Sequence, residues 1–554
     1  MSLFICVITL ILTTAGLDPA ASAENTRQPG AGLSRKEPLQ LGEDIYRNGI
    51  LPSGNPVQSV VKGDVPVPGT VFTCVSCHMR SGLGSNEGGV VTPPTNGQRL
   101  FQPLSSTQKG AQTDSRPPTS RQAYTDQSLA EVLRSGMDPS DRMLSDIMPR
   151  YLLEDGDMTL LINYLKSMSA QFSPGVSDTK LRFATVIADD VSPENRDAML
   201  APLLALENYV ITKYSLRTQP AMPLAVAESM PGSGELASRT LSLSRWVLKG
   251  PPETWRSQLE EYNRRDPVFA LIGGITTGEW KPIHEFCEEN QIPSLFPITS
   301  FPVVSETDWY TLYFSKGYYL EGEAAAHYIS SSNASGSEGL PIQIVQSSPE
   351  SAALAAGFQK TWLDLGHKPP STIMLKAGET LTGNFLQKVL AEKDASIVLL
   401  WVDSSALPAL ESLAAGREKP EMVFVSSDYI GKGLWKLQEQ ARGFTYVTYP
   451  YSVSLDRQPP RGDGINNHDG DRKIAQLTNA LVRVFTRALM DMRGNYYRDN
   501  FLDIIAMMAD QKVPLYERLS FGPGQRYASK GCYIVQLSGG PKPEIIRKSD
   551  WVIH

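Results

Sequence analysis

The chain is poor in cysteine: 554 residues contain five, so a disulfide scaffold is excluded. Cys6 lies near the start, Cys74 and Cys77 form a close pair, and Cys287 and Cys532 stand alone. Cys287 shares the apolar face of a predicted helix with Ile283, as a small buried hydrophobe would, and spacing alone leaves a Cys287 to Cys532 bridge open. Beyond the first residues no run approaches the roughly 18 uninterrupted apolar positions of a membrane span. There is no excess of cations. Lys and Arg number 52 against 59 Asp and Glu, a net charge of −7, and without a basic footprint nucleic acid is excluded as a partner. HExxH, a phosphate-cradling glycine loop and a nucleophile elbow are all missing. His284, His327, His367, His468 and His554 are scattered without metal-ligand spacing. A self-contained catalytic site is not visible, so a carrier or binding protein is favoured over an enzyme.

What is present is an ordinary globular composition, 41% hydrophobic and 20% charged, too long for one core and calling for two or three domains. An apolar run from Leu3 to Leu12 followed by Ala21-Ser22-Ala23 reads as a secretion signal cleaved after residue 23. The expected location is therefore periplasmic or otherwise exported. Segments rich in Pro, Gly and Ser cover Gln28 to Pro38, Thr92 to Arg121 and Ser173 to Ser177. The expected division is a signal over 1–23, a linker over 24–38, a small helical domain over 39–171, a second linker over 172–180, and an α/β unit over 181–554.

From Leu181 onward, apolar runs rich in β-formers alternate with helical segments. Leu181 to Ala188 leads into Ser192-Pro193, and Ile342 to Val345 into Ser348-Pro349; both pairs read as an N-cap followed by proline at the first helical position. Val268 to Ile272, Ile397 to Trp401, Met422 to Val425 and Phe444 to Thr448 are further buried-strand candidates. Continuous apolar strands separated by helices imply parallel sheets covered on both faces, and the segment's length implies two lobes.

Cys74-Val75-Ser76-Cys77-His78 carries the strongest chemical signal. Two thiols on one short turn can form thioethers with the two vinyl groups of heme, and the adjacent imidazole is then placed to bind iron. A redox-active CxxC pair or half of a zinc site are the alternatives, and zinc would need a second Cys or His cluster. The expected cofactor is one covalent heme c on Cys74, Cys77 and His78.

Around that motif the chain resembles the class I cytochromes c. Gly42-Glu43-Asp44-Ile45-Tyr46 has the form of the family's first helix and Leu160-Leu161-Ile162-Asn163-Tyr164-Leu165 that of its last, while Thr125 to Ser135 reads as a helix stopped by Gly136. The resemblance implies an all-α domain whose sixth iron ligand is a methionine before the last helix. Met148 stands there, with Met143 and Met137 in the same loop. Thioether and imidazole together suit electron transfer rather than oxygen chemistry. A backbone carbonyl should accept the other ring proton of His78, and the resemblance points to the stretch around Pro93 and Pro94.

The remainder, Leu181 to Ile553, resembles the type I periplasmic solute-binding proteins. Phe269 to Thr277, Ile292 to Ser300, Ser427-Asp428-Tyr429-Ile430-Gly431 and Leu519 to Gly524 carry the likeness. It implies a solute held between two lobes, with Thr276, Thr277, Thr299 and Ser300 on one side and Asp428 and Tyr429 on the other. Hydroxyls just after strands equally serve as helix caps. The Trp309 to Phe314 strand runs into Lys316-Gly317-Tyr318-Tyr319, where related binders often show an arginine, which points either to a ligand other than an amino acid or to a cleft that has become a docking surface.

The expected function is single-electron transfer by an exported c-type cytochrome whose bilobal domain binds a small solute or a redox partner. That partner would be a dehydrogenase, an oxidase or another cytochrome, and the solute amino-acid-like or a carboxylate. A receptor whose ligand modulates the heme is one alternative. A heme-dependent component of an oxidoreductase, with a partner dehydrogenase supplying the second cofactor, is another.

Overall fold

The computed structural model describes residues 37–553 apart from 88–89, 106–119, 208–209, 212–238, 333–339, 377, 394, 417–418 and 454–468. The expected signal over 1–23, the expected linker as far as Lys36, Cys6, His468 and His554 lie outside the described residues. Among the described residues no helix is long and apolar enough to cross a membrane.

The N-terminal part is built on the helices Glu37–Asn48, Asp126–Ser135 and Asp155–Ser167, which bury Ile45, Tyr46, Leu129, Val132, Leu161 and Ile162 in one core. The first and last cross at Gly42, where an added Cβ would sit 2.3 Å from the carbonyl oxygen of Leu160, and the Tyr46 and Tyr164 rings meet at 5.6 Å. Thr125 caps Asp126–Ser135 with a reciprocal bond to Ser128, and Gly136 ends it at φ 82°. The expectation of an all-α domain is corrected. Gln58–Val61 pairs antiparallel with Val65–Pro68 and with Arg150–Leu152. The Val-rich pair is closed by Lys62-Gly63-Asp64, with Gly63 and Asp64 at φ 82° and 56°, so β-branched residues meet a turn that reverses the chain. Residues 85–87 pair antiparallel with 90–92, and 104–105 with 120–121.

The rest forms two α/β lobes. In the first, a six-stranded sheet runs in the order Thr311–Leu312, Ser294–Leu295, Ala270–Ile272, Lys180–Ala188, Arg239–Leu248, Val210–Ile211, parallel except at the last strand. In the second, Ser371–Met374, Ile342–Val345, Ile397–Trp401, Met422–Ser426 and Thr445–Tyr449 are parallel, and Gly531–Leu537 and Ile545–Arg547 continue the sheet antiparallel. Both expected N-caps form, with the Ser192 side chain accepting from Asn195 N–H and the Ser348 side chain from Ser351 N–H.

The chain passes between lobes after Leu312, after Tyr449 and after Ala506. Tyr318–Ser331 packs in the second lobe, whereas Asp469–Asp491 and Arg498–Ala506 return to the core of the first before Gly531–Leu537. Cys287 and Cys532 are both free, each fully buried in the core of a different lobe, and burial pushes both thiols well up. They form no bridge.

Candidate functional site

Cys74–His78 forms a short helical turn against the N-terminal core, with Cys74 and Val75 packed on the cluster that holds Ile45 and Leu161. Cys74 is half-buried and Cys77 exposed, both free thiols. Burial pushes Cys74 up to about 12, against a contact from the Tyr151 hydroxyl, so it rests protonated. Tyr151 is anchored in turn by donating to the Phe72 carbonyl at 2.7 Å.

His78 is buried, and its Nδ1 lies 2.8 Å from the Pro93 carbonyl oxygen. A carbonyl can only accept, so Nδ1 carries the proton and Nε2 is left with its lone pair. Burial lowers the imidazole pKa, opposed by the bond to Pro93, and the neutral ring is the metal-binding form. Met79, the next residue, has φ 63° and ψ 168°. That region belongs to glycine and costs other residues about 1–3 kcal/mol. Such a backbone persists only where its surroundings hold it, and the Tyr46 hydroxyl holds it here by donating to the Met79 carbonyl at 2.8 Å.

The three loop methionines differ in setting. Met137 and Met143 pair as an isolated bridge and are 36% and 56% exposed. Met148, like Cys74 and Val75, packs against the domain core, and it lines a small cavity with Val60, Val132 and Pro149. Three residues on, Tyr151 touches Cys74, which ties the Met148 loop to the thiol turn. Among the described residues, no three His, Cys, Asp or Glu come together as a metal-binding group.

The inter-lobe residues are placed as follows. Thr276 is buried and donates to the Gly278 carbonyl at 3.1 Å, Thr277 bonds Asp190, and Thr299 Oγ accepts from Phe301 N–H at 3.0 Å. The Thr276 and Thr299 hydroxyls serve their own turns, Thr277 reaches a distant loop, and Ser300 is exposed. On the other side the Tyr451 hydroxyl donates to Asp428 at 2.7 Å, and Lys473, from the first-lobe helix, stands 3.5 Å from the same carboxylate. The Tyr429 hydroxyl donates to Gln346 at 2.9 Å and bonds Ser348 at 2.7 Å. Beneath them Glu321 is buried; its Oε2 accepts from Thr448 at 2.6 Å and from Ser427 N–H at 3.2 Å, and its Oε1 has no partner. Burial, then the nearby Asp428 charge, raises the Glu321 pKa well above the carboxylate range.

Sequence reasoning missed Glu321, Gln346, Tyr451 and Lys473. Two carboxylates, Glu321 and Glu323, in the otherwise apolar stretch Leu320 to Ala326 were the available signal, because a charge is rarely placed on a buried helix face without a use.

No protein-family model matches the chain, and no curated protein does. Among solved structures it is similar to a putative branched-chain amino acid transporter from Rhodospirillum rubrum, at 12% identity over 68% of this chain and 100% of that one, TM-score 0.42. It is also similar to a branched-chain amino acid transporter from Thermus thermophilus with bound valine, at 12% identity over 68% and 97%, TM-score 0.43. A third is a solute-binding protein from R. palustris in complex with benzoate, at 12% identity over 68% and 98%, TM-score 0.42. The two-lobed parallel-sheet architecture of this chain stands on its own strand order.

Proposed function

We propose that the chain is an exported c-type cytochrome whose second domain is a two-lobed receptor for a small solute, the two acting as one electron-transfer unit. The observation that carries the heme assignment is the His78 turn. Nδ1 is bound to the Pro93 carbonyl, Nε2 would be left for iron, and two free thiols precede it on the same helical turn. The donor set fits a covalent heme, which Cys74 and Cys77 would attach and whose iron His78 and Met148 would bind. A heme held there supplies exchange of single electrons. Protein residues keep the imidazole neutral and aimed, and the packed core excludes water behind it. Val71, Phe72, Ile147 and Leu152 are exposed apolar residues close in sequence to Cys74 and Met148, where a redox partner such as a dehydrogenase, an oxidase or another cytochrome would approach.

The test is an absorption spectrum of the protein made in a cell able to attach heme. Covalent heme retained through acid extraction, and lost in the double variant Cys74→Ala, Cys77→Ala, is the expected result. Met148→Ala is expected to abolish the sulfur-to-iron charge-transfer band and leave the attached heme in place. A colourless protein would overturn the assignment.

The receptor reading, in which a solute modulates the heme, has its own support. Glu321 keeps a buried unpartnered oxygen at the second lobe's inner edge, beside Asp428. Acidic groups there favour the amino group of an amino-acid-like solute, whose carboxylate would face the amides near Thr276 and Thr299. Isothermal titration with pooled amino acids and small carboxylates checks it, binding being expected in the wild type and weakened at least tenfold in Asp428→Asn.

A further inference from the structure

The strained turn after His78 is built into the boundary between the two domains. The Asp503 carboxylate accepts from Ser81 N–H at 2.8 Å and from Arg80 N–H at 3.4 Å, and Asp503 is buried on the first-lobe helix Arg498–Ala506. The Arg80 guanidinium carbon lies 4.2 Å from the centre of the Trp309 ring, and its Nε is 3.8 Å from Asp499. Arg47, on the domain's first helix, reaches the same Asp499 at 2.8 Å, and the Tyr310 hydroxyl donates to it at 3.2 Å. A cleft of about 600 Å³ remains between Val75 and Met79 on one wall and Trp309 and Pro523 on the other.

The position of these first-lobe residues along the chain is the second observation. Trp309 and Tyr310 immediately precede Thr311–Leu312, the last strand before the first crossing to the second lobe. Asp499 and Asp503 lie on the helix that precedes the third crossing. Arg526 belongs to that crossing. Its guanidinium carbon is 4.4 Å from the Trp309 ring centre, and its Nη1 donates to the Trp309 carbonyl at 2.5 Å. The two crossings are zipped together where Tyr313 N–H donates to the Arg526 carbonyl at 2.8 Å and Ala528 N–H to the Tyr313 carbonyl at 3.0 Å. One indole therefore serves an arginine of the His78 turn and an arginine of the inter-lobe crossing.

We propose that Arg80, Trp309 and Arg526 form a positioning relay that couples the turn behind His78 to the inter-lobe crossings, so that a change in lobe angle repacks that turn. Its redox readout rests on the heme reading above, whereas its mechanical part does not. The physical basis is the strained Met79 backbone. A conformation held against its own preference responds to small losses of support; Arg80 and Ser81, which follow it, are held by Trp309 and Asp503, and Trp309 is packed in turn by Arg526 of a crossing that shifts if the lobes rotate. Coupling of this kind is reciprocal, so the occupancy and oxidation state at the His78 turn would bias the lobes in return.

The test uses the full heme-loaded chain with two readouts, amide exchange of the peptide covering Met79 to Leu83 and the midpoint potential of the heme. Arg526→Ala is the decisive variant, because Arg526 lies in the crossing and not in the domain that bears the thiols. It is expected to speed exchange of those amides about tenfold, as loss of local support does, and to shift the midpoint. Trp309→Ala should do the same, and Trp309→Phe, which keeps an aromatic face for both guanidinium groups, should stay near wild type. Should Trp309→Ala fail to fold, Arg526→Ala and Arg526→Gln carry the comparison. Covalent heme in every variant, with wild-type exchange and midpoint in the Arg526 variants, overturns the relay. A chain without covalent heme overturns the heme reading instead, and the exchange readout still decides the relay.

Discussion

A hydrogen atom at Gly42 lets the first and last helices of the N-terminal domain touch backbone to backbone. Any side chain there meets the Leu160 carbonyl and the Tyr164 Cβ, at 2.3 and 2.8 Å from an ideal Cβ. Gly42→Ala is accordingly expected to destabilise that domain by about 1–3 kcal/mol, seen as earlier loss of near-ultraviolet signal in a urea titration. Asp503 makes a second residue-scale prediction. Burial, then the Asp499 charge, raises its pKa to about 6 from an ordinary 3.8, against the Ser81 and Arg80 amides that lower it. A carboxyl whose folded pKa is raised binds its proton more tightly in the native state. Its favourable contribution is therefore complete below the unfolded pKa and is lost as pH rises through the window between the two values. Comparing wild type with Asp503→Asn by urea unfolding from pH 3.5 to 7, the wild type should lose stability relative to the variant by up to about 3 kcal/mol. A flat difference would show that Asp503 titrates normally.

At the scale of the element, the strand-to-helix joints were legible because their chemistry is local. Ser192-Pro193 and Ser348-Pro349 cap their helices as the sequence predicts, since an Oγ accepting from the third amide on needs no distant partner. Ser192→Ala should cost about 1 kcal/mol, measured as a lower midpoint of the cooperative thermal transition. The strand Arg239–Leu248 escaped the sequence reading. It pairs in register from Thr240 with Lys180 to Leu248 with Ala188, yet Ser242, Ser244 and Arg245 interrupt its apolar pattern, because one face is only half covered. The small sheet of the N-terminal domain escaped for a related reason. Its strands are four and three residues long, too short for a periodic signal to rise above the turn residues between them.

Across the whole molecule, the two lobes are tied by an ion pair as well as by chain. Lys473 and Tyr451 engage Asp428 from the first lobe and from a crossing, with side-chain exposures of 38% and 32% for the lysine and aspartate. At that exposure water screens the pair, and its contribution to overall stability is small, on the order of 1 kcal/mol at most. Its effect belongs to lobe geometry. Lys473→Gln should leave the unfolding midpoint close to wild type while widening the distribution of interatomic distances in small-angle X-ray scattering, and an unchanged distribution would assign the pair no role in holding the lobes. The N-terminal domain, held to the first lobe through Asp499, Asp503 and Trp309, should move with that lobe in the same measurement.

The sequence by itself determined the features whose physics is short-ranged. These are the CxxCH turn, the capped helices, Gly136 as a helix stop, and the buried parallel strands whose apolar runs exceed what a half-solvated strand needs. Tertiary structure decided which carbonyl receives the His78 ring proton and which of Met137, Met143 and Met148 is packed against the core. It also decided that Thr276 and Thr299 spend their hydroxyls on their own turns and Thr277 on Asp190, while Tyr451 and Lys473 meet Asp428. Those outcomes depend on contacts between residues far apart in the chain, as Arg47 and Asp499 are across 452 positions. No local periodicity records such a contact. It exists only because the first two crossings bring Asp469–Asp491 and Arg498–Ala506 back onto the first lobe, where the turn behind His78 comes to rest.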